Sequence, residues 1–277
     1  MTDRYAVIGN PIAHSKSPRI HALFAQQTGQ DLVYDAILAP RDGFVHAVLQ
    51  FIAEGGRGLN VTLPFKEEAH RLAASLSPRA KSAGAVNTLD FSGPAIFGDN
   101  TDGAGLVRDL TANHDCPIAA RRVLLLGAGG AARGVLLPLL QQAPAALLIA
   151  NRSADKAHRL AREFSAVDAA APLEACGLED LAGRQFDLVI DATSAALSDL
   201  PLDLPPGLFA PGSFAYEMVY GRETAFLRQA RASGASRMAD GLGMLVEQAA
   251  ESFLLWRGVR PQTRPVLEQL RRELGEA

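Results

Sequence analysis

The sequence contains little cysteine and no cluster of metal-ligand residues. Its 277 residues include only Cys116 and Cys176, and neither lies in a C-x-x-C pair or in a Cys/His cluster with metal-ligand spacing. The six histidines are scattered, and no H-E-x-x-H pattern occurs. We therefore expect no resident metal and a reducing, cytoplasmic location.

Long runs of one charge and long apolar runs are also missing. The 27 Lys and Arg residues and 30 Asp and Glu residues give a net charge of −3, which indicates neither nucleic acid nor an anionic membrane as a partner. The most apolar region, Val123 to Leu140, is interrupted by glycines and Arg133, whereas a membrane span needs roughly 18 to 20 uninterrupted apolar residues. Strand-like residues Tyr5 to Ile8 follow Asp3 and Arg4 directly, so we expect no signal peptide.

Short apolar segments alternate with helical patterns along most of the chain, which predicts an α/β protein with two open, twisted, mainly parallel sheets. The first series of predicted strands is Tyr5 to Ile8, Leu32 to Leu38, Gly58 to Leu63 and Val86 to Leu89, with helices over 17–28, 44–54 and 65–75. The second series is Val123 to Gly127, Leu147 to Ile149, Asp187 to Ile190 and Ser213 to Tyr216, with a surface loop over 201–211 and two final helices, Met244 to Arg257 and one starting near Pro265.

A glycine-rich turn after the first strand of the second series predicts a dinucleotide site. Residues Gly127 to Ala132 read G-x-G-x-x-A between a Val/Leu strand and a helix over 131–142. Gly127 permits the tight turn, Gly129 admits the pyrophosphate to the backbone amides, and Ala132 is small enough for close packing. The amides at the helix start and the helix dipole favour the phosphate charge.

The end of the next strand favours NADP over NAD. An NAD site has an Asp or Glu about 20 residues after the glycines, where it accepts a hydrogen bond from the ribose 2′-hydroxyl. Here the strand ends in Asn151, Arg152 and Ser153, and Arg152 can pair with a 2′-phosphate while Ser153 donates a hydroxyl. Lys156 is a further candidate cation. Alternatively, Arg152 and Lys156 are solvated charges, and Asp155 would favour NAD if it turned inward.

Hydroxyl and amide side chains follow two strands of the first series, at the edge where open α/β sheets bind ligands. Ser15 and Ser17 precede a helix whose first turn contains Pro18, and capping alone explains Ser17 but not Ser15. Asn60 and Thr62 point to the same side of their strand.

Lys66 occupies an unfavourable position for a cation, the amino end of a helix, where Glu67 and Glu68 are the expected residues. This misfit suggests a role in proton transfer. Asp102 ends a polar loop that lacks the calcium-site pattern, and it precedes a helix over 104–110 that it would cap.

Seven segments together resemble the shikimate dehydrogenase family and cover residues 5 to about 256 in the family's order. They are Ser15 to Pro18, Asn60 to Lys66, Gly84 to Thr88, Gly98 to Gly103, Gly127 to Ala132, Asn151 to Ser153 and Asp240 to Leu245. No single capping or packing explanation accounts for so many separated matches.

The resemblance implies NADPH-dependent reduction of 3-dehydroshikimate, with a substrate domain of residues 1–101 plus 241–277, a Rossmann-type NADP domain of residues 102–240, and a cleft between them. Lys66 and Asp102 would be catalytic. The implied substrate contacts are Ser15, Ser17 and Tyr220 for the carboxylate, and Asn60, Thr62, Asn87 and Gln248 for ring hydroxyls. The implied cofactor contacts are Gly127, Ala128, Gly129, Gly130, Ala131, Ala132, Asn151, Arg152, Ser153, Lys156, Thr193, Met218 and Gly241. We expect a monomer or homodimer.

The sequence departs from the family pattern at three positions. Asp191 stands where the family often has Asn, Glu217 where it often has Asp, and Ser153 where Thr is common. Ser153 preserves the hydroxyl, whereas the roles of the two acids are open. A quinate or dual quinate/shikimate dehydrogenase, a non-catalytic NADP-binding regulator and a lysine-dependent folate dehydrogenase are the alternatives.

Overall fold

A computed structural model describes residues 2–165 and 172–275, apart from the side chains of Ala196 and Leu197. The chain divides into two compact units, one of Met1–Gly105 with Leu245–Ala277 and one of Leu106–Met244. The predicted boundaries, after residue 101 and before residue 241, lie slightly earlier. Within the described ranges, no helix is long and apolar enough to cross a membrane.

The first unit is built on a six-stranded sheet of mixed direction. Its elements are β1 (Asp3–Gly9), α1 (Ser17–Thr28), β2 (Leu32–Leu38), α2 (Phe44–Ala53), β3 (Gly56–Val61), α3 (Lys66–Leu72), β4 (Ser75–Leu76), α4 (Pro78–Ala83), β5 (Thr88–Asp90), β6 (Phe97–Asp99), the start of α5 (Asp102–Arg108), most of α9 (Leu242–Arg257) and α10 (Arg264–Glu273). The strand order is β2-β1-β3-β5-β6-β4, and β5 runs antiparallel to both of its neighbours.

The second unit has a fully parallel sheet. Its elements are the end of α5, a π-helical turn (Asp109–Asn113), β7 (Arg122–Leu126), α6 (Gly130–Leu140), β8 (Ala146–Asn151), α7 (Ala154–Ser165), β9 (Leu173–Gly177), a short 3₁₀ turn (Glu179–Leu181), β10 (Phe186–Asp191), a second 3₁₀ turn (Ala195–Ser198), β11 (Phe209–Glu217), α8 (Ala225–Ala232), β12 (Arg237–Ala239) and the start of α9. The order β12-β11-β10-β7-β8-β9 is that of a Rossmann domain, with its topological switch point between β7 and β10.

Strand β7 shows why its apolar run has no alternation. Val123 and Leu125 belong to a core cluster that also contains residues of α6 and α7, whereas Leu124 and Leu126 belong to a second cluster with residues of α8. All four side chains are fully buried because helices cover both faces of the sheet. The prediction of an α/β fold with mainly parallel sheets is confirmed.

Several predicted bounds are wrong. The strand predicted over 86–89 is β5 and starts at Thr88, and the 201–211 loop ends early because β11 starts at Phe209. The helix predicted over 65–75 is α3 and ends at Leu72, and the helix predicted to follow Asp102 begins at Asp102 itself. Strands β4, β6, β9 and β12 were not predicted, since runs of two to five residues carry too little pattern.

Candidate active site

Lys66 and Asp102 form an ion pair within the first unit. Lys66 is the first residue of α3, Asp102 is the first residue of α5, and Lys66 Nζ lies 2.5 Å from Asp102 Oδ2. Asn87 Nδ2 donates to the other carboxylate oxygen, Asp102 Oδ1, over 2.8 Å. The side chains of Lys66 and Asp102 are 28% and 14% exposed, so both remain in reach of a ligand or solvent. The carboxylate therefore offsets the ammonium charge that the amino end of α3 disfavours.

Asn87 connects this ion pair to buried polar side chains. Its Nδ2 lies 2.9 Å from Thr101 Oγ1 and 3.2 Å from Gln248 Oε1, and its Oδ1 accepts from the Thr101 amide over 2.8 Å. Gln248 belongs to α9 and donates to the Leu245 carbonyl over 2.9 Å. The structure thus brings Lys66, Asp102, Asn87 and Gln248 together from four separate segments.

Asn60 lies deeper, where the protein already satisfies its amide. Its Oδ1 accepts from the Tyr34 hydroxyl over 2.7 Å, and its Nδ2 donates to Ser252 Oγ over 2.9 Å and to Thr88 Oγ1 over 3.1 Å. Asn60 is 6% exposed. A substrate hydroxyl that reached this side chain would compete with those bonds.

Ser15 and Ser17 stand at the start of α1, but their local roles differ from the expected capping. Lys16 is the N-cap residue and makes no side-chain capping bond, and Ser17 is the first helical residue. The Ser15 hydroxyl accepts from the Ser17 amide over 3.3 Å. The capping explanation for Ser17 is therefore wrong. Thr62, the other predicted hydroxyl residue of this unit, follows β3 and is half-buried.

The glycine motif lies at the switch point of the second unit, directly after β7. Gly127 has φ +105°, and a Cβ there would lie 3.0 Å from the Ala192 carbonyl oxygen, so a larger residue would be strained. A Cβ at Gly129 or Gly130 would meet nothing within 4 Å, which leaves open space beside the amino end of α6. Ala128, Ala131 and Ala132 complete the turn, and Ala132 is fully buried against the core. These features fit a bound pyrophosphate.

The end of β8 has exposed cations and no carboxylate. Asn151 ends the strand, and its Nδ2 donates to the Ser153 carbonyl over 3.0 Å. Arg152, Ser153 and Lys156 are exposed, as is Asp155 in the first turn of α7. This donor set fits the 2′-phosphate of NADP.

Thr193, Met218, Tyr220 and Gly241 occupy the turns that follow β10, β11 and β12. Thr193 Cγ2 lies 3.3 Å from the position of a Cβ on Gly127. A Cβ on Gly241 would lie 2.1 Å from the Met218 carbonyl oxygen, so this close approach requires glycine. Tyr220 is half-buried, and burial raises the pKa of its hydroxyl, which keeps it a neutral donor.

Three polar residues beside these sites received no predicted role. Thr101 is fully buried against Asn87 and Gln248, although its segment was recognised as a motif. Asp191 and Glu217, whose roles were open, are buried neighbours below the turns of the second unit.

In the described residues, no group of three or more His, Cys, Asp or Glu side chains could hold a metal ion.

Three family models match consecutive parts of the chain. The shikimate dehydrogenase substrate binding domain matches residues 7–89, shikimate / quinate 5-dehydrogenase matches residues 110–199, and the shikimate 5′-dehydrogenase C-terminal domain matches residues 241–271.

Whole-length relatives agree with these models. A shikimate dehydrogenase (NADP(+)) of Dechloromonas aromatica is 63% identical over 99% of each chain. The solved structure of an Ael1 enzyme from Pseudomonas putida is 52% identical, with a TM-score of 0.91 over 97% of this chain and 98% of that one. Shikimate 5-dehydrogenase from Thermus thermophilus, solved in complex with NADP(H) and shikimate, is 35% identical, with a TM-score of 0.84 over 98% and 99%. The chain belongs to the shikimate dehydrogenase family.

Proposed function

We propose that the chain catalyses the reversible, NADPH-dependent reduction of 3-dehydroshikimate to shikimate, a step of aromatic amino acid biosynthesis. The observation that carries the proposal is the ion pair of Lys66 with Asp102, 2.5 Å apart and beside Asn87. Relatives 63% identical to this chain are named shikimate dehydrogenase (NADP(+)).

Lys66 is the proton donor in this proposal. Bound NADPH supplies a hydride from C4 of its nicotinamide ring to the carbonyl carbon of the substrate. Lys66 Nζ gives a proton to the carbonyl oxygen, so that the ketone becomes an alcohol and Lys66 becomes a neutral amine. Because the Lys66 side chain is 28% exposed, it regains a proton from solvent.

Asp102 orients the donor. Its Oδ2 holds Lys66 Nζ, while Asn87 fixes its Oδ1 over 2.8 Å, so neither the carboxylate nor the ammonium rotates freely. Pre-positioning a donor in this way supplies several kcal/mol of barrier lowering, on the order of that measured for aligned reactants.

Neutral polar groups recognise the hydroxylated ring. Asn87, Gln248 and Thr62 offer amide and hydroxyl partners for ring hydroxyls, so that no polar group stays unpaired when water leaves the site. Asn60 contributes only by exchanging one of its bonds to Thr88 or Ser252 for a substrate hydroxyl. The hydroxyls of Ser15, Ser17 and Tyr220 are assigned to the substrate carboxylate.

The cofactor is NADP, because the segment after β8, which would lie beside the adenosine ribose, contains the cations Arg152 and Lys156. Arg152 and Ser153 hold the 2′-phosphate with Lys156 nearby, and Gly127 to Ala132 receive the pyrophosphate. Asn151, Thr193, Met218 and Gly241 line the remaining cofactor contacts. The position of the glycine turn after β7, at the topological switch point of the sheet, supports this assignment.

Substituting Arg152 tests the cofactor assignment. Arg152→Ala is expected to raise KM for NADP⁺ by about 10- to 100-fold, because charge-assisted bonds to phosphate contribute roughly 1.5 to 3 kcal/mol. KM for NAD⁺, which has no 2′-phosphate, is expected to stay unchanged. Steady-state kinetics with both cofactors measures this, and the matched control is Arg159→Ala, which changes an exposed arginine on the adjacent helix α7. Equal losses with both cofactors would refute the assignment.

The overall function is tested by comparing four substrate and cofactor pairs. We expect turnover of shikimate with NADP⁺ to exceed turnover of quinate with NADP⁺ and of either substrate with NAD⁺. Faster turnover of quinate would make the protein a quinate dehydrogenase. Binding of NADP⁺ without any turnover would favour a regulator. Location in the cytoplasm and a monomeric or homodimeric state stay predictions.

A further inference from the structure

Asp191 and Glu217 face each other at the carboxyl ends of two adjacent strands. Asp191 is the last residue of β10 and Glu217 the last of β11, and the two are register partners in the parallel pairing. Asp191 is 1% exposed and Glu217 is fully buried. Because register partners on adjacent parallel strands project from the same face of the sheet, the two carboxyls lie beside each other. Two buried carboxylates in such a position repel each other, which favours a single proton between them.

The remaining donors around the two carboxyls leave one oxygen unsatisfied. Asp191 Oδ1 accepts from the Thr193 amide over 2.8 Å, and Glu217 accepts from the Val219 amide over 3.0 Å and from the Thr224 hydroxyl over 2.8 Å. Within the described residues, Asp191 Oδ2 receives no hydrogen bond. A proton shared with Glu217 would satisfy this oxygen, because whichever carboxyl is protonated can donate to the other.

Each carboxyl also fixes the turn that follows its strand. Asp191 holds the Thr193 amide, in the turn whose Ala192 carbonyl lies against Gly127. Glu217 holds the Val219 amide, in the turn whose Met218 carbonyl lies against Gly241. Thr193 and Met218 are assigned above to the cofactor. The two acids therefore lie directly below the turns that follow β10 and β11, of which the turn after β10 borders the switch point.

We propose that Asp191 and Glu217 share one proton, and that this shared proton positions the two turns for cofactor binding, so that affinity for NADP falls when the proton leaves. This proposal deepens the proposed function and rests on it. Both acids are positioning residues, since they act through the turns rather than on the reacting atoms.

The surroundings place proton loss near neutral pH. Burial raises the pKa of both acids, and burial together with the Asp191 charge raises the pKa of Glu217 to about 7. On the neighbouring strands, Leu126 of β7 is the register partner of Asp191, and Ala239, the last residue of β12, is the register partner of Tyr216, which precedes Glu217.

Charged residues also occur on the elements that pack around the pair. Arg222 and Glu223 precede α8, and Glu223 pairs with Arg231. Asp240 follows β12 and accepts from the amides of Gly221 and Leu242.

The direction of the pH effect follows from the raised pKa. The folded protein keeps a proton that the unfolded chain loses above the ordinary glutamate value of 4.5. The stabilisation is therefore complete below that value and is lost as the pH rises through about 7. Ionisation of the second carboxyl leaves two buried negative charges beside each other, which loosens both turns.

The test measures Kd for NADP⁺ by titration calorimetry between about pH 6 and pH 8.5, with Asp191→Asn as the matched variant. In that variant, Oδ1 can still accept from Thr193, and the amide Nδ2 replaces Oδ2 as a donor that does not titrate. We expect Kd of the wild type to rise by about tenfold more than Kd of the variant, as one unit of pKa shift implies. Titration of the 2′-phosphate of the ligand affects both proteins equally.

Two further measurements keep the outcome decisive. Glu217→Gln also removes the shared proton but disturbs the bonds to Val219 and Thr224, so we expect weaker binding without the extra pH dependence. The melting temperature of the ligand-free wild type is expected to fall relative to Asp191→Asn over the same pH range. Parallel melting and Kd profiles for wild type and Asp191→Asn would overturn the shared proton. Absence of NADP⁺ binding at every pH would instead refute the proposed function.

Discussion

Replacing Lys66 by alanine is expected to lower kcat for shikimate oxidation by roughly 10²-fold or more, as found for groups that transfer protons in the transition state. The Kd for NADP⁺ is expected to stay within about twofold, because Lys66 belongs to the first unit and the glycine motif to the second. Stopped-flow single turnovers would separate this chemical step from product release.

The control for Lys66 is a lysine of the same unit that takes no part in the site. Lys81 is exposed on α4, and Lys81→Ala is expected to leave kcat and KM unchanged. If Lys66→Ala turned over at the wild-type rate, the assignment of the proton donor would be wrong. A loss of NADP⁺ affinity as large as the loss of kcat would indicate a general structural defect instead.

Asp102→Asn is expected to reduce kcat by roughly 10²-fold, although the substitution keeps the size and shape of the side chain. The change removes the negative charge 2.5 Å from Lys66 Nζ and can place an N–H group against the ammonium. Lys66 then loses the partner that orients it. We expect KM for shikimate to rise as well, while the Kd for NADP⁺ changes little.

A double-mutant cycle distinguishes a joint role from two separate ones. If Asp102 acts through Lys66, Asp102→Asn is expected to cost little further activity in a Lys66→Ala background, because residues in contact are not additive. Full additivity of the two losses in kcat would show that Asp102 contributes independently of Lys66. Asp90→Asn, a change of another carboxylate in the first unit, is the matched control.

The position of Lys66 illustrates how far local reasoning reaches. The sequence shows a cation at a helix amino end, where it is unfavourable, and this misfit draws attention to the residue. Its partner lies 36 residues away, and no local pattern indicates that pairing. The buried network around Asn60 was equally inaccessible, because Tyr34 and Ser252 lie 26 and 192 residues from it along the chain.

Strand prediction succeeded and failed for related reasons. Strand β2 and helix α1 have the predicted bounds, since long apolar patterns with clear stop signals define them. Strand β5 is antiparallel and three residues long, and its pairing with β3 and β6 determines it more than its own composition does.

The sequence by itself determined the α/β class, the glycine turn and the cationic strand end, because each depends on residues adjacent along the chain. It also identified the family through motifs in a fixed order. Only the tertiary structure decided that Asp102 faces Lys66, that the side-chain amide of Asn60 is already hydrogen-bonded within the protein, and that Asp191 lies against Glu217. The physical reason is that hydrogen bonds and charge interactions act over a few ångströms, whereas the residues that make these contacts are separated by tens of residues of chain.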